Sequence, residues 1–175
     1  NPNYREFHRD LGWDLSIENL KKIGIQEKRP LGIKLFKISS KNTSLADKEE
    51  YDPKAAKESV EKDAENYLKD RKKQLIKLEN SMQIEPLLIA PFDAELFGHW
   101  WFEGPLFLSN IFIKSKNEGI KLITLKEALQ VTSKIQLCNP SPSSWGQGGF
   151  HDYWLDKSNA WIVHEWSKAG REMVS

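Results

Sequence analysis

An α/β fold is what the sequence predicts, on three observations. Residues 31–39 alternate through Leu31, Ile33, Leu35, Phe36 and Ile38 and read as a strand, with faces left open by Lys34 and Lys37. From Asp52 and Pro53 an apolar stripe steps by three or four residues through Ala56, Val60, Ala64, Tyr67, Leu75, Leu78 and Met82, interrupted by Arg71. That spacing predicts one long helix, with Asp as its cap and Pro in its first turn. Leu87 to Ala90 is an aliphatic run between Pro86 and Pro91, the pattern of a strand buried on both faces. Strand, long helix and strand at this spacing make a βαβ unit and imply a parallel sheet.

The other elements follow in chain order. Residues 4–13 are short, mixed and aromatic and read as a loop with a helical turn. Ile17 to Ile23 predicts a short helix ending at Gly24. Residues 40–50 are a polar loop. Gly104-Pro105 opens a helix through Phe107, Leu108, Ile111 and Phe112, followed by a polar exit. Residues 120–123 read as a short strand, and Thr124 with Glu127 has capping-box spacing for a further helix. There the β/α rhythm stops. Residues 139–150 are rich in Pro, Ser and Gly and form a loop, and a last helix opens at Asn159-Ala160 and runs to Met173.

Composition excludes several classes. The chain has 175 residues, enough for one domain with a core, and carries 26 basic and 25 acidic residues. That balance argues against nucleic acid or an anionic membrane as the main partner. No apolar run approaches the ~20 residues of a membrane span. Cys138 is the sole cysteine, which fits a cytoplasmic protein and reads as a small hydrophobe near a loop. Four scattered histidines lack metal-ligand spacing, and no glycine loop for phosphate is present, so neither metal nor cofactor is expected. The first residue is Asn, and the chain is expected to be a piece of something larger.

Chemistry concentrates after the aliphatic run. Asp93 and Glu95 follow it, then His99, Trp100 and Trp101. Residues two apart on a strand share a face, and buried charge is costly unless it is paired or used. Carboxylates, imidazole and flat indoles together suit a sugar site, because a pyranose lays its C–H face on indole and its hydroxyls on carboxylates. A second glycine-containing stretch carries Trp145, Gly146, Gly148, Gly149 and Trp154. Glycine there permits close approach of backbone to a ligand.

Residues 91–104, from Pro91-Phe92-Asp93-Ala94-Glu95 to Trp100-Trp101-Phe102-Glu103-Gly104, resemble the fourth sequence region of glycoside hydrolase family 57. Ser144-Trp145-Gly146, Gly148-Gly149 and Trp154-Leu155 resemble its fifth. The family holds α-amylases, 4-α-glucanotransferases and 1,4-α-glucan branching enzymes. The resemblance implies the last β/α units of an incomplete seven-fold (β/α) barrel over residues 1–130. The start of an α-helical domain bearing a substrate-cleft loop would then occupy residues 131–175. Asp93 is the implied acid/base catalyst. The family nucleophile is a Glu on an earlier strand, for which this chain has no counterpart, so the 175 residues alone are expected to be inactive.

Retaining glycosidases need two carboxyl groups about 5–5.5 Å apart. Asp93 and Glu95 on one strand would aim in parallel and cannot flank a glycosidic bond. Glu95 is therefore expected to orient Asp93 or bind a hydroxyl, and His99 to bind a sugar or satisfy a core. Apolar neighbours such as Phe92 and Phe97 would raise the Asp93 pKa for proton donation. Trp100, Trp145, Gly146 and Trp154 complete the expected substrate contacts. The long helix and the Ser144–Gly149 loop lean toward the branching type, making α-1,6 branches in a glycogen-like polymer by transfer of α-1,4-glucan chains. The rivals are α-amylase or 4-α-glucanotransferase on the same scaffold, and a non-catalytic glucan-binding domain. The remainder of the catalytic domain is the other expected partner. On the last helix Glu165 and Ser167 stand where branching-type members carry histidines, and His164 reads as structural.

Overall fold

The computed structural model describes every residue except Lys41, Gln83, Ile84, Ser133, Lys134, Gln136, Tyr153, Trp154 and Ser175, and for Gln147 its backbone alone. It divides into two compact units, residues 1–132 and residues 133–175.

The first unit is built on two helices. α1 (Leu11–Asp14) and α2 (Ile17–Lys22) are short. α3 (Pro53–Met82) is the long helix, and the Asp52 side chain accepts from the Lys54 N–H at its start. Its buried positions are Ala56, Val60, Ala64 and Leu68, one residue every four, so the buried stripe is narrow and stops before the helix ends. α4 (Gly104–Ser115) packs against α3 and buries Phe107 and Ile111. Tyr4 joins Val60, Ala64, Leu68, Phe107 and Ile111 in one core cluster, with Phe97 and Trp101 packed on it. Its hydroxyl donates to Asp63 Oδ2 at 2.6 Å, and burial followed by that carboxylate pushes the phenol above its ordinary range. Lys114 closes one edge on Glu65 at 2.7 Å. α5 (Leu125–Val131) begins with the capping box expected of Thr124 and Glu127.

The α/β expectation, and with it the incomplete (β/α) barrel, is overturned: among the described residues the secondary structure is helical and no sheet forms. Residues 86–92 have no regular secondary structure and share no ladder, and Ile89 of the aliphatic run is 62% exposed. Residues 121–123 are also unpaired coil. A strand satisfies its backbone only through a neighbour, and no neighbouring strand lies beside either segment among the described residues. The segment expected as the first strand pairs at isolated bridges only, Arg5 with Lys37 and Phe36 with Glu50, and both are antiparallel. It lies between residues 4–6 and residues 49–51, with Glu6 N–H on Phe36 O at 2.9 Å and Tyr51 N–H on Leu35 O at 2.8 Å.

The second unit holds α6 (Ala160–Val174) and the Ser/Gly loop before it. No helix among the described residues is long and apolar enough to cross a membrane.

Candidate functional site

The turn that follows the aliphatic run places the first set of expected site residues. Phe92 leans on Tyr67 of α3 and on Phe97, with ring centroids 6.5 and 5.6 Å apart, which fixes the backbone just before Asp93. Asp93 is not on a strand. Its backbone is extended (φ −63°, ψ 131°) and leads into a single 3₁₀ turn, Ala94–Leu96. Its carboxylate makes no capping hydrogen bond and is exposed, so the described residues do not form the apolar enclosure expected around it. Asp93 and Glu95 therefore do not share a strand face.

Gly98 then reverses the chain at φ +100°, a left-handed conformation that glycine adopts without penalty. The reversal is closed by Gly98 N–H on Trp101 O at 2.9 Å, Trp101 N–H on Leu96 O at 2.9 Å and Trp100 N–H on Glu95 O at 3.2 Å. Immediately after it, Gly104 at the start of α4 passes so close to Phe97 that a Cβ would lie 2.9 Å from the Phe97 Cα.

This turn sends the two adjacent tryptophans opposite ways. Trp101 goes to the core, 4.9 Å from the Phe107 ring and 5.4 Å from Tyr4. Its indole N–H is buried without a hydrogen-bond partner among the described residues. Trp100 is 47% exposed, and its indole N–H donates to Glu95 Oε2 at 3.4 Å. His99 meets Phe7 edge-on at 5.3 Å, Trp100 packs tilted on it at 4.5 Å, and His99 lies edge-on to Trp100 at 5.3 Å. Asp93, Glu95, His99 and Trp100 thus belong to one turn with an exposed carboxylate, an imidazole and an indole face.

Sequence reasoning missed the segment on which this turn rests. Residues 5–10 are fastened to their neighbours by several contacts. Arg5 N–H donates to Glu103 Oε1 at 2.9 Å, and the Arg5 guanidinium lies over the Phe102 ring at 3.4 Å. Glu6 pairs with the buried ammonium of Lys48, which also donates to Ser39. Lys34 Nζ donates to Arg9 O at 2.7 Å and lies 5.3 Å over the Phe7 ring. Burial, and then Glu103, push the Tyr51 hydroxyl above its ordinary range. The short, mixed and aromatic character of residues 4–13 does not reveal a partner some 98 positions away.

Trp145 and Gly146 lie in the second unit. Ser144 organises their loop: its N–H donates to Gly149 O at 2.8 Å, and its hydroxyl donates to Phe150 O and accepts from Gly146 N–H at 3.0 Å. Gly148 and Gly149 are left-handed at φ +69° and +80°, so the glycines serve the turn itself. The Trp145 side chain is 81% exposed. Trp154 lies outside the described residues. Among those residues no cluster of His, Cys, Asp or Glu is arranged to hold a metal ion.

Comparison with known proteins finds a likeness to carbohydrate-active enzymes. No family model matches the chain. A 1,4-alpha-glucan branching enzyme of Thermococcus kodakarensis is 32% identical over 146 residues, 82% of this chain and 22% of that protein. Its crystal structure in complex with glucose superposes with a TM-score of 0.70 at 29% identity, over 92% of this chain and 26% of that one. The alpha-amylase AmyC from Thermotoga maritima gives a TM-score of 0.75 at 36% identity, over 99% of this chain and 32% of that one. The GH57-type branching enzyme from Pyrococcus horikoshii gives 0.73 at 29% identity, over 92% and 27%. The chain belongs to glycoside hydrolase family 57. It spans between 22% and 32% of the length of these relatives.

Proposed function

We propose that the protein is a retaining α-glucan-active enzyme of the branching type, with Asp93 as its acid/base group. The observation that supports the reading is the single turn that carries Asp93, Glu95, His99 and Trp100. An exposed indole offers the apolar C–H face of a pyranose a flat surface, and carboxylate and imidazole take its hydroxyls. Glu95 holds the Trp100 indole by its N–H and so orients that surface. Asp93, engaged in no capping bond, is available to protonate a leaving glycosidic oxygen and then to deprotonate the acceptor hydroxyl. The acceptor is a second α-1,4-glucan chain, such as amylose or a glycogen-like polymer, and transfer to it makes an α-1,6 branch. Glu95 sits two residues along the same turn, and the nucleophile is assigned to a glutamate outside these 175 residues. Residues 1–130 would carry the chemistry, and residues 131–175 would supply Trp145, Gly146 and Trp154 as glucan contacts.

A second reading, α-amylase, has its own support: AmyC is 36% identical, against 29–32% for the branching enzymes. The two differ in whether a glucan or water accepts the chain. The test is incubation of the intact protein with amylose, counting reducing ends and α-1,6 linkages. New α-1,6 linkages with few new reducing ends are expected. Reducing ends alone would favour the amylase, and neither product would sink both readings. Trp145→Ala should shift products toward hydrolysis without lowering the melting temperature, because a transferase must hold its acceptor and exclude water.

A further inference from the structure

We propose that residues 5–8 form a second wall of the glucan site, in which His8 hydrogen-bonds sugar hydroxyls and Glu103 is the positioning residue that holds the wall in place. The inference rests on the reading of the Asp93 turn as a glucan site, and adds residues from the other end of the first unit.

The wall is continuous with that turn. Phe7 is the shared member: its ring lies 4.5 Å from Trp100 and 5.3 Å from both His99 and His8. His8 is 6.5 Å from Trp100 by ring centroids, and His8, His99 and Trp100 are all exposed. An exposed indole and two imidazoles thus share contact with one phenyl ring. Each neutral imidazole offers one donor and one acceptor, the pair of functions that a sugar hydroxyl uses. A neutral, polyhydroxylated chain with flat apolar faces satisfies such a surface, and a strongly charged ligand does not.

Something must fix the wall, because residues 5–8 lie in no helix or strand and touch the neighbouring backbone only at isolated bridges. Three of its polar contacts do so. Glu6 N–H donates to Phe36 O at 2.9 Å, the Glu6 carboxylate pairs with Lys48, and Arg5 N–H donates to Glu103 Oε1 at 2.9 Å. The third is the backbone hydrogen bond to the family motif, and with the packing of Phe7 on Trp100 it holds the wall against that turn. Glu103 is 5% exposed and stands at the N-cap position of α4 without a side-chain capping bond, three residues after Trp100. It takes a backbone N–H, while the Arg5 guanidinium lies over Phe102. That is the arrangement of a group that positions a chain. What Arg5 N–H requires is an oxygen acceptor, which an amide also supplies.

The experiment measures binding of a linear maltooligosaccharide by calorimetry, and kcat and KM on amylose, for the intact protein. The variants are His8→Ala, Glu103→Leu, Glu103→Gln and, as reference, Trp100→Ala. One net hydrogen bond corresponds to roughly a fivefold change, so His8→Ala should weaken binding about five- to tenfold, in KM rather than kcat. Glu103→Leu should weaken it at least as much, and Glu103→Gln should recover most of the affinity. A His8→Ala variant within twofold of wild type, while Trp100→Ala is weakened, would overturn the wall and leave the glucan site standing. If Glu103→Leu does not fold, Glu103→Gln decides, and a Gln variant as weak as His8→Ala would overturn the positioning role. A wild-type protein that neither binds nor converts any α-glucan would remove the site itself and the wall with it.

Discussion

Asp10 ties the start of the chain together with one carboxylate. It is buried, and its oxygens accept from the N–H groups of Gly12, Leu31 and Gly32, each at 2.9 Å, with Lys34 Nζ 4.0 Å away. Burial works against the charge, but the three N–H groups and the ammonium outweigh it and hold the carboxyl below its ordinary range. A folded-state pKa below the unfolded one adds stability that is fully present above the unfolded value, about 3.9, and is lost as pH falls through the folded value. Asp10→Asn keeps a single acceptor oxygen. It should lower stability at neutral pH and flatten the acid limb of the stability curve. Urea unfolding from about pH 6 down to about pH 2 checks this, and two parallel curves would mean that another group carries the linkage. Legibility in the sequence divides at this scale. Asp93, Glu95 and Trp100 stand out locally, because acids and indoles beside an aliphatic run are unusual. Asp10 and Glu103 do not, because their meaning lies in N–H groups as far as 22 and 98 positions away.

Helices were readable from the sequence because they are satisfied within themselves. Pro53–Met82, Leu125–Val131 and Ala160–Val174 each arise where apolar spacing and end residues say they should. The expected strands were not readable, because an extended segment needs a neighbour and its own residues do not name one. Asp93 and Glu95 illustrate the consequence: a 3₁₀ turn, rather than a strand, decides where their side chains go. The long helix also binds less than its pattern suggests. Its stripe continues in sequence to Met82, yet Met82 is exposed, full burial ends at Leu68, and Leu75 and Leu78 are half-buried. Leu68 lies at 1% exposure in the cluster with Phe107 and Ile111. Leu68→Ala should therefore cost about 2–5 kcal/mol, and Met82→Ala far less. Chemical denaturation of the two variants checks the difference, and equal losses would mean that the core extends along the whole helix.

At the scale of the whole molecule, the first unit presents an apolar surface beyond its own core. Phe112 and Ile113 on α4 and Leu125 and Leu129 on α5 are all exposed, and the segment before Asp93 leaves its backbone unpaired among the described residues. The family relatives, of which this chain spans 22–32%, are about three to four times as long. Catalysis is accordingly a property to be tested on the intact protein. The proposed reaction requires one group to act twice, as acid when the first bond breaks and as base when the second forms, and Asp93 is assigned both steps. General acid–base catalysis is worth about 10²–10⁴-fold in each step. The most direct measurement is turnover of amylose by Asp93→Asn in the intact protein, beside binding of a linear maltooligosaccharide. Turnover should fall by at least about 10²-fold while binding stays within a few fold. A variant that keeps near-normal turnover would contradict the assignment of Asp93.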